Sequence, residues 1–504
     1  MASIQSAQKY MNLMAEALQI VSKIIPQMFN QIFAAQEYEE ISASVKAELD
    51  SYWSDDDDTL LNNIKNFLHT IQNEDNLNCR QIMAIAFCEW LDFRITYSRS
   101  ELVGNGNRMY FSLFGLVPIS ANDYVTINSL NSNYEETGIW INPKFPIASP
   151  YIIRNEEIIK KDISNRDIFE GMNHYLNNCS YISYDSKNIV KNIIIPDTFL
   201  NQKEKNYFSI GFSPMSNSKD LLCFEDQLII QSGVSYNAQA VKPITHAEEL
   251  FERFKNDWNL AGDLNIDLFF TPELLGTSLL EKNDGIYNSL IWEHSSLRSV
   301  SGNHVPILTI LPSFWDNNYN RSTIVSQDGQ ILGHQEKHIP FVDNKGHKME
   351  ALSELKKWST ILIHIPNFHR IAIVICAEFL ADQKRIQQFI CGSLGATLLI
   401  VPSYSRGEQD FINTLPALKT YGTTIVWGNC CGAVSSTEKA IGGCGIAGTT
   451  QTITFGSKCC CGFSCENIKA CVFKINIPLD FEVSKTKNSF QDEFVIHNIQ
   501  KIFE

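Results

Sequence analysis

The chain has 504 residues, 44% of them hydrophobic and 19% charged, a globular composition with enough length for two or more cores. With 41 Lys and Arg against 56 Asp and Glu, the formal net charge is -15, so the surface repels phosphate backbones and a nucleic-acid partner is not expected. No stretch reaches the ~18 uninterrupted apolar residues of a membrane helix, and "MASIQSAQKYMNLMAEALQ" lacks the basic start and apolar core of a signal peptide. The reading is a cytoplasmic protein with no membrane partner and with reduced thiols.

Residues 1–97 read as a helical region. In "DDDDTLLNNIKNFLHTI" Leu60, Leu61, Ile64, Phe67, Leu68 and Ile71 fall on one helical face behind an acidic run suited to a helix start. Those aspartates read as solvated capping acids, not as a metal site. "CRQIMAIAFCEWLDFRITY" is a second long apolar segment, read as a buried helix with Cys88 and Trp90 in the core. From 98 to 217 the pattern weakens into strand-like pieces, "RMYFSLFGLVPIS" and "NIVKNIIIPDTFL", between Asn, Ser, Asp and Pro turn signals. This is a mixed accessory region without a motif. "SIGFSPMSNSKD", Ser209 to Asp220, reads as a linker by its Gly, Pro and Ser content. Over 221–482 strands alternate with helices, the rhythm of a layered α/β domain, and 483–504 forms a tail.

Eight of the 14 cysteines fall between Cys430 and Cys471, with Cys459, Cys460, Cys461 and Cys465 crowded into "KCCCGFSC". Paired CxxC knuckles at zinc spacing are missing, so these cysteines read as small buried hydrophobes, with no metal and no cofactor.

Three segments of the α/β domain carry complementary chemistry. "NIDLFFTPELLGTS" is an apolar strand ending at Pro272 and Glu273, and "DGQILGHQEKHIPF" turns at Asp328 and Gly329 into a strand with Lys337 near its end. "RIAIVICAEFLAD" is a buried strand that delivers Cys376 to a helix start, whose positive end favours a thiolate. Taken singly these are a solvated acid, a snorkelling lysine and an inert buried thiol. Taken together, an acid, an amine and a thiol near the ends of three such segments are harder to dismiss.

In this order, with "ATLLIVPSYS" and "TTIVWGNCCG" downstream, the segments resemble the carbon-nitrogen hydrolase family, the nitrilase and amidase superfamily, over roughly Leu221 to Asp480. The resemblance implies a catalytic triad of Glu273, Lys337 and Cys376. It also implies a second glutamate, assigned to Glu350 in "GHKMEALSEL" with Glu354 as the rival. Substrate contacts are expected from the Ala377 backbone N–H and from Glu378, Ser403 and Asn429, and "DQKRIQQFICGSLG" is expected to be the helix whose amino-terminus faces Cys376. The implied fold is α/β: a C-terminal four-layer αββα sandwich, preceded by a mainly helical and then mixed α+β N-terminal region. Such sandwiches commonly stack, so a homo-oligomer is expected. The implied activity is hydrolysis of a small-molecule amide or nitrile through a cysteine thioester or thioimidate. The amino-terminal half, which the resemblance does not reach, is read as the place for a protein partner.

Two other functions fit parts of the pattern. A Cys-His hydrolase would use His338 or His334 as base, but no Asn or Asp orienter is visible beside them. A non-catalytic binding or assembly module would keep the sandwich alone, which the intact set of Glu273, Lys337 and Cys376 argues against.

Overall fold

The computed structural model describes residues 4–24, 32, 36–52, 57–100, 110–112, 115–117, 125–127, 134–143, 173, 176, 179–183, 188–195, 207–215, 222–231, 234–242, 247–276, 284–301, 303–342, 349–353, 355, 357–365, 368–421, 423–433, 439–445, 452–456, 470–478 and 500–503. Four long helices, Ile4–Val21, Gln36–Ser51, Asp57–Gln72 and Leu77–Ser100, open the chain. Their apolar faces share one core that includes Met14, Leu18, Leu49, Ile64, Phe67, Ile85 and Phe87. Leu60, Ile64, Phe67, Leu68 and Ile71 are buried as the helical spacing requires, with Leu61 half-buried at the margin. Cys88 and Trp90 are core residues, and the Trp90 indole N–H donates to Asp50 Oδ1 at 2.8 Å.

The rest is mixed α/β, built on two eight-stranded sheets. The first runs in the order Phe314–Asp316, Tyr319–Ser326, Leu308–Ile310, Leu268–Phe270, Tyr207–Phe212, Cys471–Pro478, Gln500–Phe503, with Ile331–Glu336 also paired to Tyr319–Ser326. The second runs Thr452–Phe455, Gly442–Gly445, Thr424–Asn429, Leu398–Ser403, His369–Ile373, Trp358–Ile365, Asn188–Ile194, Val125–Ile127. Each sheet has a parallel centre. Tyr207–Phe212, Leu268–Phe270 and Leu308–Ile310 are parallel in one, and His369–Ile373, Leu398–Ser403 and Thr424–Asn429 in the other. Strands buried on both faces need no polar alternation, which is why "LLIVPS" reads as a continuous apolar run.

The sheets meet face to face through aromatic side chains. Phe208 packs edge-on against His369 with centroids 5.2 Å apart, and Phe212 lies against Phe455 at 6.2 Å. Leu268 and Phe270 point into this shared interior, whereas Phe269 between them points to a second core with Phe254 and Trp258 of the helix Ala247–Asp263. Against the second sheet, Phe411 stacks on Trp427 at 5.0 Å and on Phe379 at 6.2 Å.

Several expectations change here. Ser209 to Phe212, expected to begin a linker, lie in the strand Tyr207–Phe212 in the middle of the first sheet. The glycine that suggested a linker is a packing position: a Cβ on Gly211 would sit 2.5 Å from Ile266 Cδ1. Asn188–Ile194, from the expected accessory region, pairs in parallel with Trp358–Ile365, and Gln500–Phe503 of the expected tail pairs with Cys471–Pro478. The crowded Cys459, Cys460, Cys461 and Cys465 lie outside the described residues, while Cys430, Cys444 and Cys471 are buried as small hydrophobes. Among the described residues no group of His, Cys, Asp and Glu is placed to hold a metal ion, and no helix is long and apolar enough to cross a membrane.

Candidate active site

Glu273 lies just past the strand Leu268–Phe270 and Cys376 just past His369–Ile373, so the carboxyl ends of parallel strands from opposite sheets converge. The backbone turns hard at both places: Cys376 has φ 49° and ψ -116°, and Leu274, next to Glu273, has φ 67°. Side chains rarely adopt such torsions without compensating contacts, and they cluster at functional positions. Lys337 follows the strand Ile331–Glu336, with its own N–H donating to the Asn320 carbonyl at 2.9 Å. Glu350 sits in the short strand Met349–Glu350, parallel to Val234–Val241.

These elements bring Glu273, Lys337, Cys376 and Glu350 together. Lys337 Nζ donates to Glu273 Oε1 at 2.8 Å and to Glu350 Oε2 at 2.6 Å, with the lysine side chain only 2% exposed. The Cys376 thiol and the Glu273 carboxylate are hydrogen-bond partners, and the Tyr404 N–H lies against both, 3.2 Å from Glu273 Oε2. Glu350 is strapped to the neighbouring chain: its N–H donates to the Phe341 carbonyl and its Oε2 accepts the Phe341 N–H. The rival Glu354 lies outside the described residues.

Burial opposes the Lys337 ammonium, but Glu273 and Glu350 outweigh it and raise its pKa, so the amine stays charged. Burial lifts Glu273 above the usual carboxylate range, with Lys337 pulling the other way. Burial works against the expected thiolate. Burial first, and the Glu273 carboxylate second, push the Cys376 thiol well above its ordinary value. Desolvation wins because the helix starting at Ala377 ends at Ala381, one turn of dipole against a wholly buried charge. The segment expected as the helix facing Cys376 instead forms the turn Gln383–Arg385 and the π-helix Ile386–Ser393, further along.

Ala377 and Glu378 flank the nucleophile as expected and are buried. Glu378 Oε1 accepts from Arg385 Nη1 at 2.9 Å and lies 2.7 Å from His338 Nδ1, while Arg385 and His338 both pack on the Trp358 ring. Burial works against this carboxylate, but His338 and Arg385 hold it below its ordinary range. His334 is paired with Thr323 Oγ1 at 3.0 Å. His338 is taken up by Glu378, whereas the thiol's side-chain partner is Glu273.

Ser403 and Asn429 close off the loop that carries Tyr404. Asn429 Oδ1 accepts the Ser405 N–H at 2.9 Å and its Nδ2 donates to the Ser405 carbonyl at 2.7 Å, while the Trp427 indole donates to Ser403 Oγ at 2.7 Å. Both side chains are fully buried. Their visible work is to hold the Tyr404 N–H where it faces Glu273 and Cys376.

Asn320 and Ser313 belong to the site although sequence reasoning passed over them. Asn320 Nδ2 donates to Glu273 Oε1 at 2.7 Å and to Glu350 Oε1 at 3.2 Å, and its Oδ1 accepts from Ser313 Oγ at 2.7 Å. Asn320 stands in "DNNYNRS", where neighbouring asparagines read as turn signals; the strand period beginning at Tyr319 is the signal that could have singled it out.

No family model matches the sequence, and no curated protein matches it. Among solved structures the chain is similar to an amidase from Nesterenkonia sp., over 55% of this chain and 93% of that one, with TM-score 0.35 and 13% identity. It is similar also to a mutant of the amidase from Nesterenkonia sp. AN1 carrying the acetamide moiety of fluoroacetamide on its active-site cysteine, over 55% and 94%, with TM-score 0.36 and 13% identity. The C. elegans NitFhit protein is similar over 45% of this chain and 52% of that one, with TM-score 0.30 and 18% identity.

Proposed function

We propose that the protein is a hydrolase of non-peptide carbon-nitrogen bonds, in which Cys376 is the nucleophile, Glu273 the general base and then acid, and Lys337 the cation opposite the developing oxyanion. The observation that carries this reading is the single buried site where a thiol is hydrogen-bonded to a carboxylate that also holds a charged lysine. Structural ion pairs do not need a thiol, and packed thiols do not need a base. The contacts on both faces of the paired sheets also support reading the sandwich as four layers, αββα.

In an amide, attack by Sγ forms the S–C bond while Glu273 takes the thiol proton, and the carbonyl π electrons move to oxygen. That oxygen is met by Lys337 and by the Ala377 N–H, groups already oriented before reaction. Collapse returns the proton from Glu273 to the leaving nitrogen, releasing ammonia or an amine and leaving a thioester. Water then attacks the thioester with Glu273 again as base. Glu350 keeps Lys337 in place and charged, because a lone buried ammonium would cost several kcal/mol. A nitrile would enter the same cycle through a thioimidate.

The Cys-His alternative has no such contact in its favour, since His338 is committed to Glu378. Mass spectrometry of the intact protein after exposure to a panel of small amides and nitriles tests the proposal. A covalent acyl or imidoyl adduct on Cys376 is expected, absent in Cys376→Ala and Glu273→Gln, with turnover falling by about a hundredfold or more in Lys337→Met. A cooperatively folded Lys337→Met protein that hydrolyses its substrate at the parental rate would sink the reading.

A further inference from the structure

We infer that Asn320, oriented by Ser313, is a positioning residue that fixes the Glu273 carboxylate through Oε1 and so leaves Oε2 to accept the Cys376 proton. The inference rests on the hydrolase reading above and adds to it a residue and an atom.

The orientation of the Asn320 amide follows from its neighbours. The Leu274 N–H donates to Ser313 Oγ at 2.8 Å, so the hydroxyl hydrogen of Ser313 is left for Asn320 Oδ1 at 2.7 Å. Nδ2, with two hydrogens, therefore faces the carboxylates: one goes to Glu273 Oε1 at 2.7 Å, the other to Glu350 Oε1 at 3.2 Å. The ring closes on itself, because Leu274 is the residue after Glu273. Asn320 is fully buried, and its carbonyl also takes the Lys337 N–H, so one residue fixes both acids and the cation.

Within each carboxylate the two oxygens are then unequal. Glu350 receives Asn320 on Oε1 and both Lys337 and the Phe341 N–H on Oε2. Glu273 receives Asn320 and Lys337 together on Oε1, leaving Oε2 with the Tyr404 N–H. A proton adds most readily to the oxygen with the fewest donors aimed at it, since each donor stabilises the charged form. During attack the Sγ–H bond breaks and the Oε2–H bond forms as sulfur bonds to carbon. Without Asn320 the Glu273 carboxylate keeps Lys337 and the Tyr404 N–H but loses its closest donor on Oε1, so the acceptor oxygen is held less firmly toward sulfur.

The test uses iodoacetamide on the full chain, with the rate of Cys376 alkylation followed by peptide mapping across pH, so that no natural substrate is needed. Asn320→Ala is expected to slow alkylation at neutral pH by about a hundredfold, the scale of a misplaced reacting group. It should also move the acid limb of the rate profile to higher pH, because a carboxylate that loses a donor binds its proton more tightly. Ser313→Ala should shift the limb the same way with a smaller loss of rate, and stands in if Asn320→Ala does not fold. A residue that merely supports the fold would lower the melting temperature and leave the limb in place. Parental protein alkylated at Cys376 through an acid limb that both variants leave unmoved overturns this inference alone. Parental protein that is never modified at Cys376 overturns the hydrolase reading and this inference with it.

Discussion

Burial and the adjacent Glu273 carboxylate both raise the Cys376 thiol, so the reacting group at neutral pH is S–H, and its activation is a proton transfer rather than a standing charge. Glu273 is itself raised, and it accepts a proton only while ionised. Alkylation of Cys376 should therefore fall as pH drops through a value above the ordinary carboxylate range. It should not gain a further rise where a free thiol ionises. A small free thiol in the same mixture is the control and should react faster as pH rises through its ionisation. Peptide mapping over a pH series follows Cys376; if its rate tracks that of the free thiol, Cys376 is not controlled by Glu273. A second residue-scale prediction concerns His338, which packs on Trp358 and holds Glu378. Losing a hydrogen bond to a buried charged group costs about 1.5–3 kcal/mol, with Arg385 left to moderate it here. His338→Ala should melt well below the parent, and an unchanged melting temperature would show the contact to be idle. Glu273 and Cys376 are legible in sequence because each ends an apolar run, and Lys337 because it stands near the end of a strand that follows a clear Asp328-Gly329 turn. Asn320 is not, because its partner Glu273 lies 47 residues away and only the fold reveals that both are buried.

At the scale of elements, the strands that read most clearly are those whose burial needs no partner to be guessed, such as Leu398–Ser403 and Thr424–Asn429. Tyr207–Phe212 misleads because Gly211 and the following "SPMSNS" carry turn composition, and composition does not say that Ile266 occupies the space above the glycine. Gly428 is a similar case at the junction of the two sheets. A Cβ there would lie 2.4 Å from the Phe212 ring, which is itself packed against Phe270, Phe455 and Phe473 and has nowhere to move. Gly428→Ala should cost about 1–3 kcal/mol through overpacking, read as a lower denaturant midpoint at unchanged slope. Because Asn429 is the next residue, the same substitution should slow Cys376 chemistry by disturbing the loop that holds Tyr404. A variant as stable as the parent would show that the sheets part freely at this point.

At the scale of the whole molecule, the helical core and the two-sheet core are joined by the antiparallel strand pair Ile139–Pro143 and Cys179–Ser183. Strand alternation puts Ile139, Ile141 and Cys179 in the helical core and Trp140 and Ile182 in the sheet core. Nearby the join is polar: Asn142 and Asn192 exchange side-chain hydrogen bonds, and Asn192 Oδ1 is 2.9 Å from His364 Nε2. Burial, and then Arg370, hold His364 well below its ordinary value and bring His369 down from 6.5 to about 3. The sign follows from proton counts. Between those values the unfolded chain binds a proton on His369 that the folded protein refuses, so stability present above pH 6.5 is lost progressively toward pH 3. Asp257 acts in the opposite sense, because burial lifts it from 3.8 to about 6 and the folded state takes up its proton first. A pH scan of the parent alone therefore mixes gains and losses. The difference between parent and His369→Gln isolates the histidine. At pH 7.5 the variant should be the less stable, having lost the packing of His369 on Phe208 and its bond to Thr397. Below pH 6.5 that gap should narrow by about 1.4 kcal/mol per pH unit, the free energy of one proton. Denaturant unfolding at pH 7.5, 6.5, 5.5 and 4.5 measures it, and a gap that stays constant across the series would mean that His369 is free to charge within the folded protein.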